Sequence, residues 1–329
     1  MPGMSFGIIL PNRGVVLGLT TVKELLAQAD AAEACPFVDS VWVGDDLFVN
    51  RRVDSLTLLA AIAGRTERVL LGPACMGSFA LREPRVFAYE WASLDVISGG
   101  RTRLVVCSGG GQNSDWAAEE RIMGIDPRTR RRRMVEHMHL LRHLWTTDGV
   151  PFEGQYFRFE GCTMEPKPVQ SPCPIWLGTN GVKTADGDAG ASEIAVNRVG
   201  ANADGWMTIG VTPKGYAKTW ARIHAIAREN GRDPSGFGNV LFHHIGLGPD
   251  EDTALNQAAH FLAPYYGGSI TPDRLLGRGA YGQPRDCIAQ LRAYRDAGCE
   301  RVAIRLCGRG DPIDQINRLA DEVLSKVND

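Results

Sequence analysis

The sequence predicts an α/β protein whose strands close into a (β/α)8 barrel, the TIM-barrel architecture, with insertions. Short apolar runs alternate with amphipathic helical stretches along almost the whole length of the 329 residues. The runs are continuously apolar, which is typical of parallel strands buried on both faces. Eight such strands can be counted, and eight strands close a barrel within one domain, residues 1–329.

The elements follow in chain order. The first strand, Phe6–Leu10, ends at Pro11, which cannot continue a hydrogen-bonded ladder. The predicted strands are 6–10, 40–44, 68–76, 104–107, 174–178, 204–209, 240–248 and 301–306. The predicted helices are 21–35, 55–66, 85–97, 130–145, 191–199, 213–230, 250–264 and 284–297. The first of these helices has Thr20 or Thr21 as its N-cap and Glu24 in its first turn.

A helix is predicted at 85–97, because its residues Val86, Tyr89, Leu94 and Ile97 recur at helical spacing. The following Ser98-Gly99-Gly100 ends the helix, because glycine tolerates the left-handed conformation found at helix C-termini.

Two stretches interrupt the alternation. Residues 146–173 are rich in turns and proline and contain a short alternating piece at 156–159, which predicts a surface excursion with a hairpin. Residues 264–283 are rich in glycine and aromatic residues and follow the seventh strand. They form either a lid over the barrel mouth or an irregular crossover.

Composition excludes several classes of function. The net charge is −2 and the isoelectric point near 6.4, so no nucleic-acid partner is expected. The arginine run 128–133 is interpreted as a solvated, salt-bridged helix face or a dimer contact. The eight cysteines form no CxxC pair, and His139 and His143 lack a third ligand, so we expect no metal site and a reducing, cytoplasmic location. No apolar stretch approaches the ~18 residues that a membrane span needs.

The functional groups are expected at the carboxyl ends of the strands. Asp45 and Asp46 follow the second strand, and Ser108-Gly109 opens a glycine-rich loop after the fourth. After the fifth strand, Gly178-Thr179-Asn180-Gly181 could bind a phosphate through backbone N–H groups, with Lys183 as a counter-charge. His243 and His244 are neighbours on the seventh strand, so one of them must face the barrel interior as a candidate proton donor or substrate contact.

Motifs along most of the chain resemble the luciferase-like monooxygenase family of flavin- and deazaflavin-dependent enzymes. They are "FGIILP" at the start, "DSVWVGDD", "RRVDSLTLLAAIAGRTERVLLG", "LDVISGGRTRLVV", "PIWLG", "ADGW" and "YGQP" with "LRAYRDAG". The resemblance implies a ring site with a non-proline cis peptide at Ala74–Cys75, ring contacts from Ser108 and Gly109, and a flavin phosphate at 178–181. It also implies a homodimer.

The expected function is a flavin-dependent monooxygenase that uses reduced FMN and O2 on a small organic substrate. A separate reductase would supply the FMN, because no GxGxxG follows the first strand. One alternative is an F420-dependent oxidoreductase that transfers hydride. The other is a non-catalytic flavin-binding protein, because Asp46 stands where better-known relatives carry histidine. The aromatic residues Trp116, Tyr265, Tyr266 and Tyr281 suggest an apolar or ring-bearing substrate.

Overall fold

The computed structural model describes residues 3–109, 114–183, 188–266, 270–308 and 310–329, with the side chains of 114–116 outside that description. The strands are β1 Ser5–Leu10, β2 Ser40–Asp45, β3 Leu70–Met76, β4 Leu104–Val106, β5 Phe152–Glu153, β6 Arg158–Phe159, β7 Ile175–Asn180, β8 Val182–Lys183, β9 Ala189–Gly190, β10 Gly205–Ile209, β11 Gly238–Leu247, β12 Gly279–Gly282 and β13 Arg301–Leu306.

Eight of these strands close into a parallel barrel, which confirms the predicted fold class. Their order around the barrel is β1, β2, β3, β4, β7, β10, β11 and β13, and β13 pairs again with β1. The registers Phe6↔Val302 and Met207↔Val240 are among the pairings that close the ring. All eight were expected from their unalternating apolar runs.

Helices surround the barrel. They are α1 Arg13–Val16, α2 Val22–Ala34, α3 Ser55–Ala63, α4 Pro84–Ile97, α5 Ser114–Ile122, α6 Arg130–Thr146, α7 Glu193–Asn202, α8 Pro213–Glu229, α9 Glu251–Leu262, α10 Pro272–Leu275, α11 Pro284–Asp296, α12 Pro312–Leu319 and α13 Ser325–Val327. Thr21 and Glu24 form a reciprocal capping box at the start of α2. None of the described helices is long and apolar enough to cross a lipid bilayer.

The helix predicted at 85–97 is α4, and only part of its spaced apolar set is buried. Phe87, Trp91 and Leu94 are buried, whereas Val86, Tyr89 and Ile97 are 54%, 51% and 57% exposed. The helix carries two apolar stripes, and only one of them can face the barrel. The larger rings occupy the barrel side because they bury more apolar area.

Two tryptophans fill the amino end of the barrel. Trp42 and Trp176 belong to an interior cluster, distinct from the main core between strands and helices. Their indoles lie against four glycines: Gly7, Gly72, Gly205 and Gly238. A Cβ on Gly205 would lie 2.6 Å from Trp176 Cδ1, so only glycine allows this close approach. The amino end is therefore packed with side chains, and a ligand has to enter at the carboxyl end.

The two interrupting stretches carry small strands of their own. In 146–173, β5 and β6 pair antiparallel with Phe152 opposite Phe159. In 264–283, β12 pairs in parallel with the end of β11, at His244–Leu247. This strand was not predicted, because its sequence GAYG has neither the length nor the β-branched residues of a strand.

Candidate active site

A pocket opens at the carboxyl end of the barrel and is called here the mouth. It encloses about 490 Å³, including the part open to solvent. Its walls come from the ends of β1, β2, β3, β11 and β13 and from the segment after α9. The lining residues are Ile9, Leu10, Pro11, Asn12, Arg13, Gly44, Arg52, Ala74, Phe242, Tyr265, Tyr266 and Arg305.

Asp46 is a buried acid beside the mouth. Its side chain is 6% exposed and forms an ion pair with Arg52, which lines the pocket. Burial raises the pKa of Asp46 to about 7, against the opposing effect of Arg52; the nearby Asp45 and Glu119 act in the same direction as burial. A carboxyl group with this pKa is partly protonated at neutral pH and can both give and take a proton.

The structure places the Asp45 carboxylate among protein partners, and its role as a cofactor ligand stays a prediction. Its carboxylate accepts hydrogen bonds from Ser55 Oγ at 2.6 Å and from the Ser78 N–H at 2.8 Å, and Arg82 lies 3.3 Å away. The two neighbouring acids therefore have different partners, since Asp46 pairs with Arg52. Asp45 ties the β2 end to α3 and to the turn after β3.

Small side chains form one wall beside the mouth. Ala74 and Cys75 belong to the interior cluster, and their peptide bond is cis, as the resemblance implies. A Cβ at Gly178 would lie 3.0 Å from Cys75 Sγ and 3.4 Å from Cys107 Cβ, so these three residues are in close contact. A hydrogen bond with Cys107, together with burial, raises the pKa of Cys75 well above its ordinary value. Cys75 is accordingly a packing residue rather than a thiolate nucleophile.

The loop after β4 begins at Ser108 and Gly109, both half-buried. Gly109 has a φ of +70°, and Arg130 lies where its side chain would be. Arg130 is 4% exposed, donates to Gly77 O at 2.6 Å and pairs with Glu120 at 2.8 Å. Arg130, the first residue of α6, is thus buried and contacts the loops after β3 and β4. This corrects its interpretation as a solvated residue. Residues 110–113, the rest of the glycine-rich loop, lie outside the described residues.

The predicted phosphate loop is only partly available for a ligand. Thr179 Oγ1 accepts from Trp206 Nε1 at 2.8 Å, in the layer between the strands and α8. The Gly181 N–H donates to Ile209 O at 2.7 Å. These two groups have hydrogen-bond partners within the fold, and their role in phosphate binding stays a prediction, whereas Asn180 is exposed at the strand end. Lys183 is exposed on a two-residue strand, and residues 184–187 are not described.

The two histidines of β11 face opposite sides. His243 lies 3.1 Å from Gln290 Oε1 and contacts the Tyr294 ring, so it packs under α11, and His244 is the histidine on the inner side. His244 shares a strand face with Phe242, which lines the mouth, and neither of its ring nitrogens has a hydrogen-bond partner among the described residues. Burial, reinforced by His243 and Arg305, lowers the pKa of His244 to about 3. At neutral pH this imidazole is uncharged.

Three arginines that sequence reasoning missed line the mouth. Arg52 pairs with Asp46, and Arg13 donates to Asn50 Oδ1 while its buried Nε has no partner within the described chain. Arg305 lies 4.6 Å above the Tyr265 ring and donates to Ile9 O at 3.5 Å. No sequence motif links them, since they lie on separate loops and strands. Of the predicted mouth aromatics, Tyr265 and Tyr266 line the pocket, whereas Tyr281 packs against α9.

No cluster of three metal-ligating side chains occurs in the part of the chain that the structure covers. His139 instead contacts Asn202, and His143 contacts Val150 O.

Comparisons with known proteins agree on one family. The family model described as luciferase-like monooxygenase matches residues 4–279. An F420-dependent glucose-6-phosphate dehydrogenase of Nakamurella multipartita is 32% identical over 307 residues, covering 90% of this chain and 82% of its own. Among solved structures, an F420-dependent secondary alcohol dehydrogenase superposes with a TM-score of 0.81 at 19% identity, covering 99% of this chain and all of its own. The monooxygenase RslO1 from Streptomyces bottropensis gives 0.78 at 20%, covering 98% and 99%.

Proposed function

The chain belongs to the luciferase-like monooxygenase family, and from this premise we propose that it is an F420-dependent oxidoreductase that exchanges hydride with a small organic substrate. The observation that carries this choice is the relationship, over nine-tenths of the chain, to an F420-dependent dehydrogenase. The sequence alone favoured reduced FMN and O2, whereas the relatives support the alternative, an F420-dependent oxidoreductase. The protein is an oxidoreductase, so the alternative of a non-catalytic flavin-binding protein is set aside.

The small residues beside the mouth fit a flat tricyclic ring. The wall of Ala74, Cys75, Cys107 and Gly178 presents no long side chain, and a Cβ at Gly178 would crowd Cys75 Sγ at 3.0 Å. These residues would hold the ring face, with Ser108 and Gly109 at its edge and Asn180 toward a phosphate. When bound, F420 supplies a ring carbon that accepts or donates hydride.

We assign proton transfer to Asp46. Hydride removal from an alcohol or addition to a double bond requires a proton to leave or arrive at the substrate, and Asp46 can do either because its pKa lies near neutrality. Arg52 orients the carboxyl group through its ion pair. His244, uncharged and without hydrogen-bond partners in the described chain, is the second candidate to contact the substrate.

The test is cofactor binding by the full-length protein. Titration with F420 and, separately, with FMN, followed by deazaflavin fluorescence or flavin absorbance, should show tighter binding of F420. Anaerobic incubation with oxidised F420 and a panel of alcohols and sugar phosphates should then bleach the deazaflavin. Tight FMN binding with no F420 binding would overturn the proposal.

An FMN-dependent monooxygenase is the second candidate, favoured by the fold similarity to the monooxygenase RslO1. It predicts that reduced FMN, delivered by a separate reductase, gives oxygen uptake that exceeds free flavin reoxidation and depends on an organic substrate. An oxygen electrode distinguishes the two, since hydride exchange with F420 proceeds without oxygen.

We also propose a homodimer. The exposed apolar stripe Val86, Tyr89 and Ile97 on α4 supports it, because a monomer rarely exposes such neighbouring apolar side chains. Light scattering of the purified protein tests this, and Tyr89→Lys should shift the mass toward that of one chain. A cytoplasmic location stays a prediction from the free cysteines.

A further inference from the structure

A second pocket lies beside the mouth, between α2, α9 and α12, and is called here the side pocket. It encloses about 1140 Å³, including the part open to solvent. Ile9, Pro11, Tyr265 and Arg305 line both pockets and form the wall between them. Nothing in the proposed hydride transfer requires this second space.

Arg305 is a buried cation at the inner end of the side pocket. The residue is 7% exposed, and it forms no ion pair with another described residue. Its contacts are the Tyr265 ring at 4.6 Å and a long hydrogen bond to Ile9 O at 3.5 Å. A guanidinium has five N–H donors, and a buried charge without an acidic partner is unfavourable, so this group is suited to an anion that arrives with a ligand.

Gln28 is a second polar group on the floor of the side pocket. It is 4% exposed, and its buried side-chain Nε2 has no hydrogen-bond partner among the described residues. Its neighbours on the buried face of α2, Leu25 and Ala29, are apolar. Buried amides nearly always have partners, so an oxygen acceptor in the pocket would complete this one.

The remaining walls are mostly apolar. Leu19, Phe261, Pro264 and Leu306 contribute hydrocarbon surface, and the Phe261 ring stacks on Tyr265 at 6.0 Å. The acid of the pocket, Glu24, is exposed at the rim, where the Thr20 hydroxyl and the Thr21 N–H both donate to it at 2.8 Å. The buried end of the side pocket therefore carries a positive charge, and the rest of its wall is mostly apolar.

We propose that the side pocket binds a small organic carboxylate, with its carboxylate on Arg305 and its hydrocarbon or aryl body against Phe261, Leu19 and Leu306. An inorganic anion would leave the apolar walls in contact with water, and a neutral apolar molecule would leave Arg305 without a counter-charge. The proposal does not depend on the identity of the redox cofactor, because the pocket lies on the far side of the Tyr265–Arg305 wall.

The test uses benzoate as the probe and benzyl alcohol as its uncharged match. Ligand-observed NMR on the full-length, cofactor-free protein should show that benzoate binds at least about tenfold more tightly, as a charge-assisted hydrogen bond requires. Equal affinities in the wild-type protein, or no benzoate binding at millimolar concentration, would overturn the proposal without any variant being needed.

Variants locate the site. Arg305→Gln should remove the preference for benzoate over benzyl alcohol, and Gln28→Leu should weaken benzoate by roughly two- to tenfold, the effect of one hydrogen bond. Arg318→Gln is the matched control: it makes the same charge change on α12, where Arg318 is 52% exposed and paired with Glu322, and should leave binding unchanged. Retention of the preference in Arg305→Gln contradicts the assignment.

A second titration separates this site from the cofactor. Gln28→Leu should bind F420 as the wild-type protein does, because Gln28 lines the side pocket and not the mouth. If F420 binding instead falls by the same factor as benzoate binding, the side pocket is part of the cofactor site, and the separate carboxylate site is refuted. If the wild-type protein binds benzoate but not F420, the proposed function fails and the side pocket stands.

Discussion

The two ends of the barrel interior solve the packing problem in opposite ways. At the amino end, Trp42 and Trp176 lie against four glycines, and side chains fill the interior. At the carboxyl end, Asp46 and Arg305 are buried and Arg13 is half-buried beside open space; among the described residues Asp46 pairs with Arg52, whereas Arg305 has no acidic partner. A filled end contributes stability, whereas buried charges around a cavity cost stability and are typical of a site that binds.

Removing a floor tryptophan should have the largest effect. Trp176→Ala leaves a cavity at the amino end and should lower the free energy of unfolding by about 3–5 kcal/mol. Urea unfolding followed by circular dichroism measures it, with Trp176→Phe as the milder control. A loss below about 1 kcal/mol would mean that the amino end is not a packed floor.

Asp46→Asn should break the other end with little cost to folding. The variant keeps the shape of the side chain but cannot exchange a proton, so kcat should fall by about 10²-fold or more. Asp46→Glu, which keeps a carboxyl group, should recover part of the rate. Wild-type turnover in the asparagine variant would remove Asp46 from the mechanism.

A methyl group added to the floor should have a smaller effect. In Gly205→Ala the new Cβ would meet Trp176 Cδ1 and Gly238 O, each at 2.6 Å, and overpacking should destabilise the protein by about 1–3 kcal/mol. Gly236→Ala is the matched control, because no atom lies within 4 Å of its added Cβ. Equal denaturation midpoints for the two variants would contradict the close approach.

The pH dependence sharpens the contrast with the smallest expected change. The folded-state pKa of Asp46 is raised from 3.8 to about 7, so the folded protein binds more protons than the unfolded chain in this interval. This contribution to stability is complete below about pH 4 and is lost as the pH rises through 7. Asp46→Asn should flatten that part of the stability profile.

Arg52→Gln should move the same titration to higher pH, because Arg52 opposes the rise in the pKa of Asp46. The pH–rate profile and the stability profile should shift together. A shift to lower pH would mean that Arg52 does not act on this carboxyl group.

Much of the fold could be predicted from local sequence. All eight barrel strands could be predicted from continuous apolar runs, because a strand buried on both faces is apolar along its length whichever strands it pairs with. The sequence did not show which face of α4 is buried, since Val86 and Tyr89 form an apolar stripe at helical spacing just as Phe87 and Trp91 do. Arg130 could not be distinguished from its neighbours in the arginine run, because its burial depends on contacts with Glu120 and Gly77.

The candidate site divides in the same way. Asp46, Ala74, Cys75 and Gly178 stand at strand ends, where the barrel rule places them without coordinates. Asp45, Thr179 and His243 also stand there, but their side chains are used inside the fold. Neighbouring residues of a strand have side chains on opposite sides of the sheet. A strand that is apolar throughout does not show which of its residues face the barrel interior.

The sequence by itself determined the barrel, its number of strands and the positions where chemistry is concentrated, because burial on both faces and glycine at strand ends are local properties. Only the tertiary structure decided which charges meet. Arg13 and Arg305 are almost 300 positions apart and become neighbours of one pocket because β13 pairs with β1 when the ring closes. Closure is a property of all eight strands together, and no segment of the chain contains it.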